Sequence, residues 1–339
     1  MENTDWKSLP FGYRKTDYNV RCYYRDGKWG EIEVSSSEHI PIHIAATTLH
    51  YGQEAFEGLK AFMGKDGRIR VFRWKDNAAR MRSSARGVLM AEVPDELFGE
   101  MMRKVIKLNR RFVPPYGTGA SLYIRPLLLG TGAEVGVKPA KEYLFMIFVT
   151  PVGPYFKEGF NPVDLLITPG IDRAAPLGTG HIKVGGNYAG SLGALKLAHD
   201  KGYASALFLD AKEKKYIDEA GPANFFGIKS NTYITPSSHS ILPSITNKSL
   251  QEIARSIGMK VEVRPVPIDE IGTFEEAGAC GTAAVISPIK RVVNDDTGEE
   301  VDICPDCKPG KTSKELYDKL TSIQNGDAPD EFGWIEIID

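Results

Sequence analysis

Proline and glycine are concentrated near the middle of the chain, in a segment that constrains the fold more than any other. The segment contains Pro151-Val152-Gly153-Pro154, followed by Gly159 and Pro162. Because proline interrupts helices and strands and glycine favours turns, such a segment is typical of a connection between domains. A chain of 339 residues is also long enough for two separate cores. We therefore predict a smaller N-terminal α/β domain at 1–155, a connection at 156–168 and a larger C-terminal domain at 169–339.

Strand and helix patterns occur in both halves without a regular alternation. Short apolar and β-branched runs between turn residues predict strands at 18–24, 30–34, 58–63, 68–72, 120–128, 143–150, 164–168, 206–209, 223–228 and 260–263. Apolar residues at helical spacing, after Asp76 and Asp95, predict helices at 76–89 and 95–112. Two more helices are predicted at 188–201 and 245–257. This mixture favours an α+β or mixed α/β fold.

The composition argues against several classes of partner. The formal net charge is -2, so nothing favours nucleic acid or an anionic membrane. The apolar run at 143–149 suits a buried strand and is too short to cross a bilayer. The N-terminus does not resemble a signal peptide and four cysteines fit a reducing compartment, so we expect a cytoplasmic protein. Cys304 and Cys307 lack a second ligand pair at zinc spacing; we expect a loop turn there, with redox chemistry as the alternative, and no metal site.

Lys183 lies in the most informative segment of the sequence. It stands between Ile182 and Val184, and Gly180 and Gly185 flank these three residues. Most lysines lie among polar residues at the surface. A lysine that holds a cofactor covalently must instead be desolvated, so that its amine is neutral and nucleophilic near pH 7. The alternative is a lysine that extends to water from a glycine-rich loop, and the segment alone does not exclude it.

Other residues match what pyridoxal phosphate chemistry requires besides a lysine. It needs an acid near the pyridine nitrogen, a hydroxyl near the ring oxygen and an anion site for the phosphate. Glu219, before an apolar run, is a candidate acid, and Tyr188 is a candidate hydroxyl. Ser244 can cap a helix whose first amides, those of Ile245 and Thr246, would bind phosphate. A surface acid, a core tyrosine and an ordinary helix cap are the alternatives, but the joint occurrence favours the cofactor.

Five motifs between Thr47 and Pro288 extend this pattern over most of the chain. They are the lysine segment 181–188, the block His50-Tyr51-Gly52-Gln53-Glu54-Ala55-Phe56-Glu57-Gly58-Leu59-Lys60-Ala61-Phe62, Phe72-Arg73 with Asn77 and Arg80-Met81, Ser121-Leu122-Tyr123-Ile124-Arg125-Pro126, and Gly281-Thr282-Ala283-Ala284. Together they resemble the branched-chain aminotransferase family of fold-type IV pyridoxal phosphate enzymes. The block at 50–62 separates this family from D-amino-acid aminotransferases and aminodeoxychorismate lyases.

The resemblance implies a two-domain, fold-type IV architecture like that of D-amino-acid aminotransferase, with the cofactor lysine in the C-terminal domain. Lys183 would bind pyridoxal 5'-phosphate covalently and move a proton between substrate and cofactor. The implied cofactor-binding residues are Arg80, Lys183, Tyr188, Glu219, Ile245, Thr246 and Thr282. The implied substrate-binding residues are Tyr51, Phe56, Tyr123, Arg125, Val137, Tyr155, Thr282 and Ala283. Val137 would come from a partner subunit, and Arg125 would meet the side-chain carboxylate of glutamate.

The implied reaction is the reversible transfer of an amino group from leucine, isoleucine or valine to 2-oxoglutarate. The resemblance also implies a homodimer with active sites near the subunit interface, whose ligands are small amino acids and 2-oxo acids. Another fold-type IV transaminase, an aminodeoxychorismate lyase and a non-catalytic pyridoxal phosphate-binding protein are the alternatives. Pro222 departs from the family pattern because it offers neither a hydroxyl nor an amide donor beside Glu219.

Overall fold

The computed structural model describes residues 4–154, 160–304, 306 and 308–339. Two compact units are present. The first comprises Met1–Lys157, Ile182–Gly185 and Ser322–Asp339, and the second comprises Glu158–His181 and Gly186–Thr321. We call them the first unit and the second unit. Among the described residues, no helix is both long enough and apolar enough to cross a membrane.

The described residues form eighteen strands and six α-helices. The strands are β1 (Asn19–Arg25), β2 (Lys28–Trp29), β3 (Glu33–Ser35), β4 (Glu54–Phe56), β5 (Leu59–Met63), β6 (Ile69–Phe72), β7 (Ser121–Gly130), β8 (Tyr143–Val152), β9 (Val163–Ile167), β10 (Ser205–Leu209), β11 (Ile217–Ala220), β12 (Ala223–Lys229), β13 (Thr232–Pro236), β14 (Lys260–Arg264), β15 (Glu276–Gly281), β16 (Val285–Asn294), β17 (Glu300–Asp302) and β18 (Ile335–Ile338). The helices are α1 (Thr47–Tyr51), α2 (Trp74–Gly87), α3 (Asp95–Leu108), α4 (Gly185–Asp200), α5 (Ile245–Ser256) and α6 (Lys311–Asn325).

The first unit is built on an antiparallel sheet with the order β18-β6-β5-β7-β8-β1-β2, in which β3 also pairs with β1 and β4 with β7. One face of this sheet packs on α2 and α3. Ile124 and Phe145 point into that core, where they meet Phe98, Met101 and Val105, which lie at helical spacing on α3. Burial of each such side chain contributes roughly 1.5–3 kcal/mol. Because strand residues alternate between faces, the neighbours of Ile124 on β7 point to the opposite face, which carries the polar candidates.

The second unit contains a closed ring of six strands, ordered β11-β10-β9-β16-β15-β12, because β12 pairs with β11 again. Strand β9 is parallel to both β10 and β16, and the other pairs in the ring are antiparallel. Leu165, Leu207 and Phe225 form part of one core cluster on these strands. Residues Ala194 and Ala198 of α4 belong to a separate cluster with Leu166, Phe208 and Val293. Closure of the ring leaves none of its six strands with an unpaired edge.

Most predicted elements are present, but several boundaries differ. Helix α2 begins at Trp74 instead of Asp76, because Arg73 adopts a left-handed conformation (φ 48°) before it and pairs with Asp76 across the first turn. The predicted helix 95–112 ends as an α-helix at Leu108 and continues as a single 3-10 turn, Arg110–Phe112. The predicted strand at 30–34 is replaced by the two short strands β2 and β3. Nine elements were not predicted from the sequence: α1, β4, β11, β13, β15, β16, β17, α6 and β18.

The predicted division at 1–155, 156–168 and 169–339 stays a prediction, but the packing differs from it at three places. Segment Ile182–Gly185, with Lys183, belongs to the first unit because Ile182 and Val184 are buried in that unit's core. The C-terminal residues from Ser322 also belong to the first unit, since β18 pairs with β6 at its sheet edge. Strand β9 lies within the segment expected to be a connection.

Candidate active site

Lys183 is held by backbone hydrogen bonds to two elements of the first unit. Its amide donates to the Ser84 hydroxyl of α2 at 2.8 Å, and its carbonyl accepts from the amide of Phe56 at 3.1 Å. Its flanking residues Ile182 and Val184 are buried, which anchors the backbone on both sides. The side chain is half-buried, with its amine 4.7 Å from the centre of the Phe56 ring. Lys183 is therefore a fixed, partly desolvated lysine and not one that simply extends to water.

Gly185 completes the lysine segment by allowing a close approach. Its amide donates to the Glu54 carboxylate, and a β-carbon at this position would overlap that carboxylate. Burial raises the pKa of Glu54, while the Gly185 amide and the nearby Arg125 guanidinium oppose the rise. The glycine is thus explained by packing within the first unit.

The predicted substrate residues Phe56, Tyr123 and Arg125 lie together on the sheet face opposite the core. The Arg125 guanidinium donates to the Tyr123 hydroxyl at 3.1 Å and lies 5.0 Å from the Phe56 ring centre. Lys60 is the register partner of Tyr123 on β5, and therefore shares this face. Burial lowers the pKa of Lys60 to about 8. Lys60 was not predicted as a site residue from the sequence, although it lies inside the family motif at 50–62. This face therefore offers aromatic surface to an apolar side chain of a ligand, and the cations Arg125 and Lys60 to an acidic one.

Three other predicted substrate residues lie elsewhere or cannot be placed. Tyr51, in α1, donates its hydroxyl to the Val135 carbonyl. Val137 is 87% exposed. Tyr155 lies outside the described residues.

Arg80, the predicted phosphate ligand of α2, forms a buried bidentate ion pair. Its Nε donates to one oxygen of Glu57 at 2.7 Å and its Nη2 to the other at 2.8 Å. Glu57 is fully buried and also accepts from the Asn77 amide at 2.8 Å. The pair fixes the plane and direction of the guanidinium, since a fork-shaped contact allows little rotation. The pair uses the Nε and Nη2 edge of the guanidinium and lies inside the first unit.

Glu219, the predicted acid, is buried in the second unit. Its register partner on β12 is Asn224, whose partner on β15 is Cys280, so the three residues form a row across neighbouring strands. The Leu242 amide donates to Glu219 Oε1 at 2.6 Å, and Arg173 Nη2 lies 3.3 Å from the same oxygen. A buried carboxylate requires a cationic partner, and Arg173 is that partner. No sequence signal marked Arg173, which lies in an irregular loop far from Glu219 along the chain.

The N-terminus of α5 lies beside this row. The Ser244 hydroxyl accepts from the Asn247 amide at 3.2 Å, which confirms Ser244 as the N-cap. The Asn247 side chain donates to Asn224 Oδ1 at 3.1 Å and so ties the first turn of the helix to β12. The amides of Ile245 and Thr246 come before the capped one and, by helix geometry, have no intrahelical acceptor. Such a helix start is suited to an anion.

The remaining candidates lie on neighbouring elements of the second unit. Thr282 and Ala283 form the tight turn between β15 and β16, closed by the pairing of Gly281 with Val285. Thr282 therefore follows Cys280 of the Glu219 row by two residues. Tyr188 is half-buried in the first turn of α4. The turn at Gly221-Pro222 joins β11 directly to β12, with Gly221 in a left-handed conformation (φ 59°).

These residues fit a pyridoxal phosphate enzyme on the chemistry of their donors. The first unit supplies a partly desolvated lysine on an aromatic ring and an oriented arginine. The second unit supplies a buried carboxylate that an arginine and an amide stabilise in its ionised form, together with a capped helix start and a turn that bears a hydroxyl. A lysine, an acid and anion donors are the groups that this cofactor requires of a protein.

Comparison with known proteins identifies the family. The model of the family described as amino-transferase class IV matches residues 54–292. The chain therefore belongs to the aminotransferase class IV family. It is 46% identical over 338 residues to the branched-chain-amino-acid aminotransferase of Helicobacter pylori, covering 99% of this chain and 98% of that protein. It is 47% identical over 342 residues to the Haemophilus influenzae protein of the same name, covering 99% of each.

Solved structures agree with this assignment. The branched-chain amino acid aminotransferase of Escherichia coli superposes with a TM-score of 0.79 at 26% identity, covering 96% of this chain and 100% of that one. The branched-chain amino acid aminotransferase of Thermobaculum terrenum, in its pyridoxal phosphate form, has the same fold. It gives a TM-score of 0.78 at 22% identity and covers 96% of this chain and 100% of that one. The resemblance stated from the motifs and the fold-type IV architecture are both confirmed.

Proposed function

We propose that this chain catalyses the pyridoxal phosphate-dependent, reversible transfer of an amino group between L-leucine, L-isoleucine or L-valine and 2-oxoglutarate. The observation that carries the proposal is the cluster of Phe56, Tyr123 and Arg125 beside Lys183 on one sheet face. Aromatic surface suits branched apolar side chains, and a guanidinium suits the second carboxylate of glutamate. The names of the two full-length bacterial relatives support the same substrates.

Each cofactor residue has a proposed role. When bound, pyridoxal phosphate supplies an electron sink that stabilises negative charge at the substrate α-carbon. Lys183 holds the cofactor and moves a proton from and to that carbon. Glu219 accepts a hydrogen bond from the protonated pyridine nitrogen, and Tyr188 donates to the ring oxygen. The phosphate is bound by Arg80, the amides of Ile245 and Thr246, and the hydroxyl of Thr282.

Different residues bind the two ends of the substrate. Arg125 pairs with the side-chain carboxylate of glutamate or 2-oxoglutarate. The amides at Thr282 and Ala283, with the Tyr51 hydroxyl, bind the α-carboxylate. The aliphatic side chains are bound by the remaining pocket residues, which are Phe56, Tyr123, Val137 and Tyr155.

We further propose that the protein is a cytoplasmic homodimer. Ile44 and Val135 are 83% and 86% exposed, and their loops are joined by the bridge between Ala46 and Ala133. With Val137 they form an exposed apolar surface, which a partner subunit would cover. Light scattering of the purified protein should give the dimer mass, and Val135→Asp should shift the population towards monomer. A wild-type monomer at micromolar concentration would refute the dimer.

The decisive experiment is an assay of glutamate formed from leucine and 2-oxoglutarate by the purified protein. Lys183→Ala should lower turnover by roughly 100-fold to 10,000-fold or more, because it removes the group that moves the proton. It should also abolish an absorbance band at about 410–430 nm, the region typical of a lysine-bound cofactor. Exposed Lys65→Ala is the matched control and should retain both.

The alternatives give different outcomes in a substrate panel. Turnover of D-alanine or 4-amino-4-deoxychorismate without turnover of leucine would assign another fold-type IV reaction. A Lys183-dependent band without turnover of any of these substrates would indicate a binding protein. Absence of glutamate from leucine at saturating cofactor would overturn the proposed function.

A further inference from the structure

Arg173 is buried in the second unit at a junction of two loops. Its Nη2 donates to the Gly180 carbonyl at 2.9 Å and to the Ser240 carbonyl, and it lies 3.3 Å from Glu219 Oε1. Gly180 packs so closely on Ser240 that a β-carbon there would overlap the Ser240 backbone. The guanidinium is therefore anchored by the main chain on both sides, and the residue is 8% exposed. It reaches Glu219 from a fixed position.

The adjacent carboxylate has a different environment. Asp218 is satisfied by two hydroxyls, those of Ser238 at 2.9 Å and Ser240 at 2.6 Å. Burial raises the pKa of Asp218, with these hydroxyls and, to a smaller extent, the charge of Arg173 opposing the rise. Strand residues alternate in direction, so Asp218 and Glu219 point to opposite faces of β11. Arg173 forms its ion pair with Glu219, the one acid of the two that has a proposed role at the cofactor.

An ionised carboxylate at this depth is costly without a counter-charge. If the cofactor nitrogen were the counter-charge by itself, Glu219 would take up a proton whenever the cofactor leaves. It would then be a hydrogen-bond donor when the next cofactor arrives, instead of the acceptor that a pyridinium requires. The loop anchored by Gly180 and Ser240 avoids this outcome because it supplies a permanent positive charge.

We propose that Arg173 is a positioning residue that acts as the resident counter-ion of Glu219, keeping the carboxylate ionised and oriented before the cofactor binds. This inference rests on the proposed role of Glu219. The proposed function of Arg173 is present in the cofactor-free protein. If Arg173 only joined the two loops, the effect of replacing it would not depend on whether Glu219 is present.

The consequence is a pH dependence that the cofactor suppresses. Without Arg173, the pKa of Glu219 in the folded protein rises above its unfolded value of about 4.3. A raised folded pKa adds stability at low pH that is lost as pH increases from the unfolded to the folded pKa, which reaches about 8–9 for buried glutamates, so the variant weakens relative to wild type over this range. Asp218 also responds to this substitution, because the charge of Arg173 lowers its pKa, but its share of the loss remains when Glu219 is replaced. Asp210, which acts on Asp218, and Cys280, whose pKa the charge of Glu219 helps to raise, are common to both proteins and largely cancel in the difference.

The test compares thermal unfolding of full-length Arg173→Met and wild type, with cofactor removed and with pyridoxal phosphate added. We expect the cofactor-free variant to unfold on the order of 5–10 °C lower at pH 8, and by less than half of that at pH 6. Added pyridoxal phosphate should raise the midpoint of the variant more than that of wild type, since the pyridinium replaces the missing charge. In a Glu219→Gln background the loss should be much smaller, because no charge remains to be compensated.

Matched variants keep the test decisive. Arg264→Met removes two ion pairs near the surface of the same unit, with Glu262 and Glu270, and should show no pH-dependent or cofactor-dependent difference. Arg173→Lys retains the positive charge, so its unfolding midpoint relative to wild type should not show the pH dependence expected for Arg173→Met. If Arg173→Met is insoluble, Arg173→Gln replaces it and is compared with Arg173→Lys in the same way.

Two results would overturn the inference. One is a loss that is equal at pH 6 and pH 8, and the other is a loss that persists in the Glu219→Gln background; either means that Arg173 acts through the loop carbonyls. A different result would refute the proposed role of Glu219 instead: the pH-dependent loss is present, but cofactor raises both midpoints equally.

Discussion

The candidate residues of the two units differ in their chemistry. In the first unit they are mainly charged and aromatic side chains, such as Lys183, Arg80 and Arg125. In the second unit most are backbone amides and hydroxyls, at the start of α5 and in the turn after β15, with Glu219 as the charged exception. Side-chain donors can be removed by substitution, whereas amides remain when the side chain changes. We therefore expect the first unit to be more sensitive to mutation.

The two buried ion pairs sharpen this contrast. Arg80 and Glu57 share two hydrogen bonds of 2.7 and 2.8 Å, so each residue orients the other. Arg173 meets Glu219 through a single 3.3 Å contact and is oriented by backbone carbonyls. In the first unit the arginine has a proposed ligand role and the acid positions it. In the second unit the acid has the proposed ligand role, and we propose that the arginine positions it.

The largest effect is expected from Arg80→Met, which leaves Glu57 buried and uncompensated. Breaking such a pair from one side costs about 3–5 kcal/mol of unfolding free energy. Loss of the guanidinium should also weaken pyridoxal phosphate binding by roughly tenfold to a hundredfold. Urea unfolding and fluorescence titration measure the two quantities. Arg82→Met, which breaks an ion pair with partly exposed Asp95, is the control and should cost at most about 1 kcal/mol. Equal losses in both variants would show that burial does not strengthen the Arg80 pair.

Arg125→Met should separate the two substrates. The KM for 2-oxoglutarate should rise by about tenfold to a hundredfold, since a charge-assisted hydrogen bond contributes about 1.5–3 kcal/mol. The KM for leucine should change by less than about threefold, because leucine has no second carboxylate. Steady-state kinetics with each substrate varied in turn gives both values. A parallel rise for leucine would assign Arg125 to the structure of the pocket and not to acid recognition.

Lys60→Met should remove a pH dependence of the unfolding free energy that originates in the first unit. Burial lowers the pKa of Lys60 to about 8, whereas an unfolded lysine titrates near about 10.4. Between these values the unfolded chain binds more protons, so the stability of wild type should increase as pH rises from about 8 to about 10.4. The gain should be roughly 1–2 kcal/mol after allowance for partial solvent access. Denaturant unfolding across this range should show the slope in wild type and in the exposed control Lys65→Met, but not in Lys60→Met.

The smallest effect is expected at the start of α5, where backbone amides are the donors. Ser244→Ala removes the N-cap and should cost about 1 kcal/mol of stability. Cofactor affinity should fall by less than about threefold, far less than for Arg80→Met. Thr246→Val keeps the amide and should also leave affinity nearly unchanged. A hundredfold loss in either variant would mean that side chains of this helix bind the phosphate directly.

Sequence reasoning succeeded where the information is local. The cap at Ser244, the hairpin between β5 and β6 and the helix α5 follow from residue types within one or two turns. The family resemblance implied that Phe56, Tyr123 and Arg125 share a pocket, and the structure brings these three side chains together. The short strands β11 and β15 were missed, since each is a continuous buried run of four residues that carries no alternating pattern.

By itself, the sequence singled out Lys183 as the candidate cofactor lysine, and it determined the family and most of the elements, because these depend on local residue chemistry and on motif spacing. Tertiary structure decided the rest. The midchain proline and glycine residues predicted a simple division, yet the lysine segment and the last strand pack within the first unit. The counter-ion of Glu219 was also decided there, since Arg173 is 46 residues away along the chain and acquires its role when two loops pack against each other. Ion pairing depends on distance in space, which a one-dimensional pattern does not contain.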